Sequence, residues 1–382
     1  MQTSFKVNHS YGLFMLLFII LFSSCKKDTE FTQDSNPLIV ENSALKKAPA
    51  TVTVIYTGLN NPRGLEFGPD GNLYVAEGGT GGTDSTVGLC QQAPFPIGPY
   101  LGSITSGRIS KITSAGVRTT ITDQLPSSQT NKASGGLISG VADVEFIGNT
   151  LYALLSGAGC SHGVPTIPNG IIKVDQNGSW TMIANLSAWV QLHPVKNPEE
   201  DDFEPDGTFY SMINVRGDLY VVEPNHGDLI KVTTGGQISR VVDISASQGH
   251  IVPTALAYHG NFFLGNLRTF PIVEGSSKIM KITPSGQIKD WATGLTTVLG
   301  LVFDNRDRMY VLENTVGAPF PTGGLGKILR IDPSGKIEEI ATGLSVPTGM
   351  TLGPDGNLYV SNVGFSPAAI GGGQVLKVTL NN

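Results

Sequence analysis

A chain of 382 residues, 40% hydrophobic and 15% charged, has the length and composition to bury a sizeable core, which places it in the globular class. Its formal net charge of −6 comes without a basic stripe, so nothing favours nucleic acid as a partner and the acidic balance bears on solubility. The 48 glycines suit a β protein dense in turns.

Residues 1–24 read as a targeting segment: Lys6 near the start, an apolar run from Tyr11 to Phe22 too short to span a bilayer as a mature helix, then Ser23-Ser24-Cys25. Small residues before a cysteine resemble the lipobox of bacterial lipoproteins. That resemblance implies removal of the signal and acylation of Cys25; an ordinary secretory signal is the alternative. Three cysteines in an exported chain leave one over unless Cys25 carries lipid, in which case Cys90 and Cys160 form a disulfide. Residues 25–50 are polar, without sustained periodicity, and are expected to tether the lipid to a domain over 51–382.

From Thr51 onward the pattern is β, with minimal helix expected. Gly68-Pro69-Asp70-Gly71-Asn72-Leu73-Tyr74-Val75 returns almost letter for letter as Gly353-Pro354-Asp355-Gly356-Asn357-Leu358-Tyr359-Val360. Pro-Asp-Gly-Asn is turn chemistry, and the alternating apolar residues on either side make the unit a β-hairpin. Degenerate copies around Gly148, Gly217, Gly260 and Asp307 bring the hairpins to six. Each is followed by a strand with a basic residue in a fixed column, namely Lys111, Lys173, Lys231, Lys281, Arg330 and Lys377. After the first five of these comes a Gly turn and one more strand. Four-stranded units recurring at about 40–50 residues predict an all-β, six-bladed β-propeller. The sixth unit ends one strand short, so the segment 51–57 is expected to pair with its third strand and close the ring.

Propeller topology sorts the loops. The turns between first and second strands are short and form one face; the long, Gly- and Pro-rich connections between second and third strands form the other, where chemistry is expected. At the end of each second strand stands a column reading Glu77, Leu155, Glu223, Asn266, Glu313 and Asn362. Its polar members either cap loop N–H groups or ring a ligand or cation site. His162, His193, His226 and His250 fall on the same loop face, while His259 sits in a turn. None has zinc-motif spacing, so acid–base or ligand contact competes with loop organisation. His226 beside Glu223, with His162 and His250, are the catalytic candidates. Arg63, Asn225 and Arg268 are placed to meet a ligand. The run 199–206 holds six carboxylates, of which Asp202, Glu204 and Asp206 are candidates for Ca²⁺ or another divalent cation; a solvated acidic loop is the alternative.

Several loop motifs together resemble the ScyD/ScyE family: Asn61-Pro62-Arg63-Gly64, Gly159-Cys160-Ser161-His162-Gly163, Asp202-Phe203-Glu204-Pro205-Asp206-Gly207, Glu223-Pro224-Asn225-His226-Gly227 and Gln248-Gly249-His250-Ile251. Members are exported propellers named for the biosynthetic cluster of scytonemin, an indole-phenol pigment. The resemblance implies a six-bladed propeller in the cell envelope. More distantly, the hairpins resemble NHL repeats, streptogramin lyases and the SMP-30 lactonases, whose metal ligands stand at inner-strand starts. Here those positions carry Arg63 and Thr348, so the resemblance does not carry the metal site across. The leading expectation is a monomeric envelope lipoprotein, on the periplasmic or cell-surface side, that binds and helps convert a small organic molecule at one mouth of the propeller. The alternatives are a propeller that docks an envelope protein or glycan without catalysis, and a metal-dependent lactonase or lyase.

Overall fold

The computed structural model describes residues 1–2, 36–41, 46–47, 50–317, 320–364 and 370–381. Cys25, the signal segment after residue 2 and most of the expected tether lie outside the described residues. From Ala50 the chain forms six antiparallel sheets arranged as a β-propeller. The innermost strands, taken as blades 1 to 6, are Pro62–Phe67, Val141–Ile147, Ser211–Val215, Pro253–Tyr258, Val298–Phe303 and Gly349–Leu352. Each touches the next, and the inner strand of blade 6 meets that of blade 1. Ala50–Leu59 supplies the outer strand of blade 6, pairing antiparallel with Gly373–Leu380 from Gly373↔Leu59 to Leu380↔Ala50.

Period-2 alternation places one set of side chains from each sheet against the blade before and the other against the blade after. The core is accordingly six wedges. Leu65, Leu73 and Val75 of blade 1 pack on Leu59 and Val375 of blade 6, while Ala76 and Ile109 pack on Val141, Val144 and Ala153 of blade 2. The same division recurs around the ring.

In blades 1 and 6 the recurrent turn and the basic column belong to one device. In blade 6, Gly356 takes φ 75°, Asp355 Oδ1 accepts from the Asn357 N–H at 3.1 Å, and Asp355 Oδ2 accepts from the Tyr359 hydroxyl at 3.1 Å. Lys377 lies 2.7 Å from the same carboxylate and 5.7 Å above the Tyr359 ring. These hydrogen bonds and the cation hold the Asp355 carboxyl below its ordinary value despite the burial that opposes them. Blade 1 repeats the arrangement with Asp70, Tyr74 and Lys111, and in blade 3 Lys231 lies 2.6 Å from Asp218 and over the Tyr220 ring. Lys111, Lys231 and Lys377 thus meet their hairpin turns, whereas Lys173 faces Asp175, Lys281 lies over the Phe263 ring and Arg330 pairs with Glu338 on the outer strand.

The four-strand unit has additions. Blade 1 gains Ile138–Ser139 at its outer edge, after a long hairpin made by Leu101–Ile112 and Arg118–Gln129. Two short pieces from the segment expected to be a tether lie along the propeller wall. Leu38–Ile39 runs parallel to the outer strand of blade 4, and Lys46–Lys47 parallel to that of blade 5. Their hydrogen bonds occupy edges that would otherwise be open. In the described residues α-helix is confined to Leu186–Leu192 and Ser245–Gln248, with single 3-10 turns at Lys132–Ser134 and Cys160–His162.

Candidate functional site

The polar column on the loop face proves to be a set of fasteners. Glu77, Glu223, Glu313 and Asn362 each accept the backbone N–H of a residue just before their blade's inner strand. The donors are Asn60 at 2.7 Å, Thr208 at 2.8 Å, Thr296 at 2.5 Å and Ser345 at 2.8 Å. Asn266 does the related job by donating to Ile251 O and accepting from the Lys278 N–H, both at 2.8 Å. A neighbour on the third strand takes up the rest: Arg108 donates to Glu77, Lys327 lies 3.3 Å from Glu313, and Asn362 donates to Gln374. All six column positions are buried, Leu155 included. Buried backbone donors need partners, and these side chains provide them where one blade crosses to the next. Burial pushes the Glu313 carboxyl up to about 7, with Lys327 opposing.

The histidines are likewise built into the loops. His226 lies 3.2 Å from Glu223, which also accepts its backbone N–H, and this carboxylate raises the imidazole against the burial that lowers it. Nδ1 of His162 meets the Ser128 hydroxyl at 3.0 Å, and its Nε2 lies 3.2 Å from Glu204. Glu204 also accepts from Tyr100 at 2.7 Å and Thr208 at 2.5 Å; these bonds hold its carboxyl below the ordinary value against the burial that raises it. Ser128, His162 and Glu204 thus have the hydroxyl–imidazole–carboxylate connectivity of a nucleophile relay. Ser128 and His162 are fully buried, however, so no substrate carbonyl reaches the hydroxyl. His250 sits 3.7 Å from Asp202 and 4.0 Å from Glu199. Burial brings Asp202 up to about 6, with His250 opposing. His193 stacks on Trp189, and His259 stacks on Phe303 at the turn face.

The acidic run does not converge. Asp206 accepts from the Ser161 N–H and hydroxyl at 2.7 Å each, Glu204 turns to His162, and Asp202 faces His250. Among the described residues no group of three His, Cys, Asp or Glu is placed to hold a metal ion. Asn225 accepts the Glu204 N–H at 2.8 Å and donates to Asp202 O at 2.9 Å, so it pins this loop. Cys90 and Cys160 are disulfide-bonded and tie the second-to-third loops of blades 1 and 2 together. Arg268 is half-buried in such a loop of blade 4, at φ 79°. Glu77, His226 and Glu313 belong to blades 1, 3 and 5, and each meets a partner within its own blade.

A second group of buried ionisable residues lines the central channel. Tyr210 of blade 3 donates its hydroxyl to Thr348 O of blade 6 at 2.7 Å, and those blades stand opposite each other, so the side chain bars the channel near its loop-face end. Arg63, buried beside it, donates to Gly364 O and Ile138 O. On the turn side of Tyr210 lies a cavity of about 300 Å³ lined by the inner strands of all six blades. Its charged lining groups are Glu66 of blade 1 and Asp143 and Glu145 of blade 2; the arc from blades 4 and 5 contributes uncharged residues such as Leu256 and Leu301. Asp143 accepts the Met212 N–H at 2.8 Å, Glu145 the Asn214 N–H at 3.1 Å, and Glu66 the Thr351 hydroxyl at 3.0 Å. Burial pushes Asp143 up to about 8; burial and then the charge of Glu66 push Glu145 up to about 8. Glu66 is raised by burial as well. None of the three stands out in the sequence, where Leu65-Glu66-Phe67 reads as ordinary alternation. The missed signal is an ionisable residue on an inner strand, which neighbouring blades cover on both sides.

No protein-family model matches the chain, and no curated protein matches it in sequence. Solved structures do match. A protein of unknown function from Bacteroides thetaiotaomicron aligns with a TM-score of 0.56 at 11% identity, over 87% of this chain and 76% of that one. An oxidoreductase described as a glucose dehydrogenase from Thermus thermophilus gives 0.53 at 16% identity, over 86% and 100%. A gluconolactonase from Xanthomonas campestris gives 0.52 at 12% identity, over 91% and 95%. At such identities the likeness is one of fold, the six-bladed propeller.

Proposed function

We propose that this propeller binds a small organic molecule in its central channel, on the turn side of Tyr210. The observation that carries this reading is the cavity of about 300 Å³ lined by the inner strands of all six blades, with three carboxyl side chains on one arc. Small-molecule pockets are concave with a few convergent polar groups, and this cavity is concave with its acids gathered on one arc. The resemblance to ScyD/ScyE proteins supports the same class of ligand and a place in the envelope, with Cys25 as the lipid attachment point on the periplasmic or cell-surface side. The gluconolactonase and glucose dehydrogenase of the same fold are propellers named for small-molecule substrates, which agrees with the reading. Conversion of the ligand would fall to Asp143 or Glu145, whose carboxyls titrate near neutral pH and so exchange protons in the range where acid–base catalysis works.

The test is calorimetry with a library of small organic molecules against the wild type and a Ser211→Trp variant that fills the channel. Ligands bound by the first and lost by the second support the reading; ligands that bind both equally contradict it. A second reading, docking of an envelope protein at the loop face, is favoured by the exposed side chains Leu89, Phe95, Phe270 and Val273 at loop tips. Pull-down partners lost on Phe95→Ser and Phe270→Ser would support it.

A further inference from the structure

The cavity has two unlike walls. Glu66, Asp143 and Glu145 come from adjacent blades and supply its charged lining groups, so every one of those charges is an acid. No Lys or Arg lines the cavity to neutralise them; Arg63, next to Tyr210, donates to Gly364 O and Ile138 O. The facing arc of blades 4 and 5 is built from Leu256, Leu301, Val302 and their neighbours, with no ionisable group but the Tyr258 phenol. Each of these carboxyls already accepts a hydrogen bond from the scaffold, so what the wall lacks is a counter-charge: an anion would oppose their ionisation, a neutral molecule would leave it unchanged, and a cation would favour it. A molecule with a positive end and an apolar body satisfies both walls.

We propose that the channel takes an organic cation, a protonated amine on an aromatic or aliphatic frame, with its charge among Glu66, Asp143 and Glu145 and its frame against blades 4 and 5. This rests on the channel being the binding site. Burial keeps Asp143 and Glu145 protonated near neutral pH while the channel holds no cation. An arriving ammonium stabilises the carboxylates, so binding expels protons and tightens as pH rises toward 8. The other groups facing these acids are Tyr210 and Arg63 at the barred end and Tyr258 on blade 4. Burial raises the Tyr210 phenol well above its ordinary value, so it stays neutral throughout.

The experiment uses three probes with one frame and three charges: 2-phenylethylamine, 2-phenylethanol and phenylacetate, titrated calorimetrically into the full chain at pH 8. The amine is expected to bind at least about tenfold more tightly than the alcohol, the factor that 1.4 kcal/mol represents, and phenylacetate not at all. Titrations at pH 7 in phosphate and Tris, whose ionisation heats differ, should report net proton release. Glu66→Gln and, separately, Glu145→Gln should each weaken the amine by about tenfold while leaving the alcohol unchanged. Equal binding of amine and alcohol, both abolished by Ser211→Trp, would overturn the cation while leaving the channel reading intact. Amine binding that survives Ser211→Trp would overturn both, and no binding by any probe, or no proton release, would overturn the cation. Melting curves check that each variant folds, and Thr351→Trp fills the same channel from blade 6 should Ser211→Trp not fold.

Discussion

Replacing Glu77 by alanine separates a scaffold role for the loop-face column from a ligand role. Glu77 is fully buried and accepts from the Asn60 N–H at 2.7 Å, from Arg108 Nε at 2.7 Å, from a second Arg108 nitrogen and from the Ser110 hydroxyl. Truncation leaves a guanidinium and a backbone donor uncompensated at the crossover from blade 6 to blade 1. Breaking such a buried pair costs about 3–5 kcal/mol. For a chain of this size that corresponds to a fall in melting temperature on the order of 4–7 °C. Differential scanning calorimetry reads the shift, and titration of any channel ligand below the new melting point reads binding. The scaffold account expects a large shift with affinity unchanged. A variant that melts with the wild type but no longer binds ligand would refute it.

Stability should fall as pH rises from about 4 toward 8: Asp143 and Glu145 remain protonated in the folded chain where the unfolded chain has ionised, so the folded state binds more protons. Each contributes at most about 1.4 kcal/mol per pH unit, and Glu145→Gln should flatten the slope seen in urea titrations across that range. Reducing the Cys90–Cys160 bond, which closes a separation of 70 residues, should lower stability by about 2–4 kcal/mol, read as an earlier melt in reductant. Removing Ala50–Leu59 takes away the outer strand of blade 6 and the Leu59 side chain from the wedge between blades 6 and 1. That deletion should give a chain without a cooperative melt, whereas removing residues 1–35 should leave the melt in place.

Much of the fold was legible because propellers repeat. In blades 1 and 6 the Pro-Asp-Gly-Asn turn, the aromatic two residues beyond it and the basic residue on the third strand form one clasp, and the looser copies keep the spacing that announces a blade. The Ala50–Leu59 pairing could be read from Thr57-Gly58-Leu59, which matches Thr293-Gly294-Leu295 and Thr342-Gly343-Leu344 at the ends of other outer strands. The fifth strand Ile138–Ser139 and the wall pairings of Leu38–Ile39 and Lys46–Lys47 are two residues long and leave no period to detect. For the site, residue type misled. Glu77, Glu223 and Glu313 have the chemistry of ligands, yet their position at a blade crossover commits them to backbone donors. Glu66, Asp143 and Glu145 look like routine polar positions in a strand, and only ring closure brings them to one cavity.

The most direct measurement is a crystal structure of the full chain soaked with 4-bromo-2-phenylethylamine, read by the anomalous signal of bromine. The account predicts one peak in the channel on the turn side of Tyr210, against blades 4 and 5, with the amine among Glu66, Asp143 and Glu145. A peak on the loop face beside His162, His226 or His250, with the channel unchanged, would contradict it.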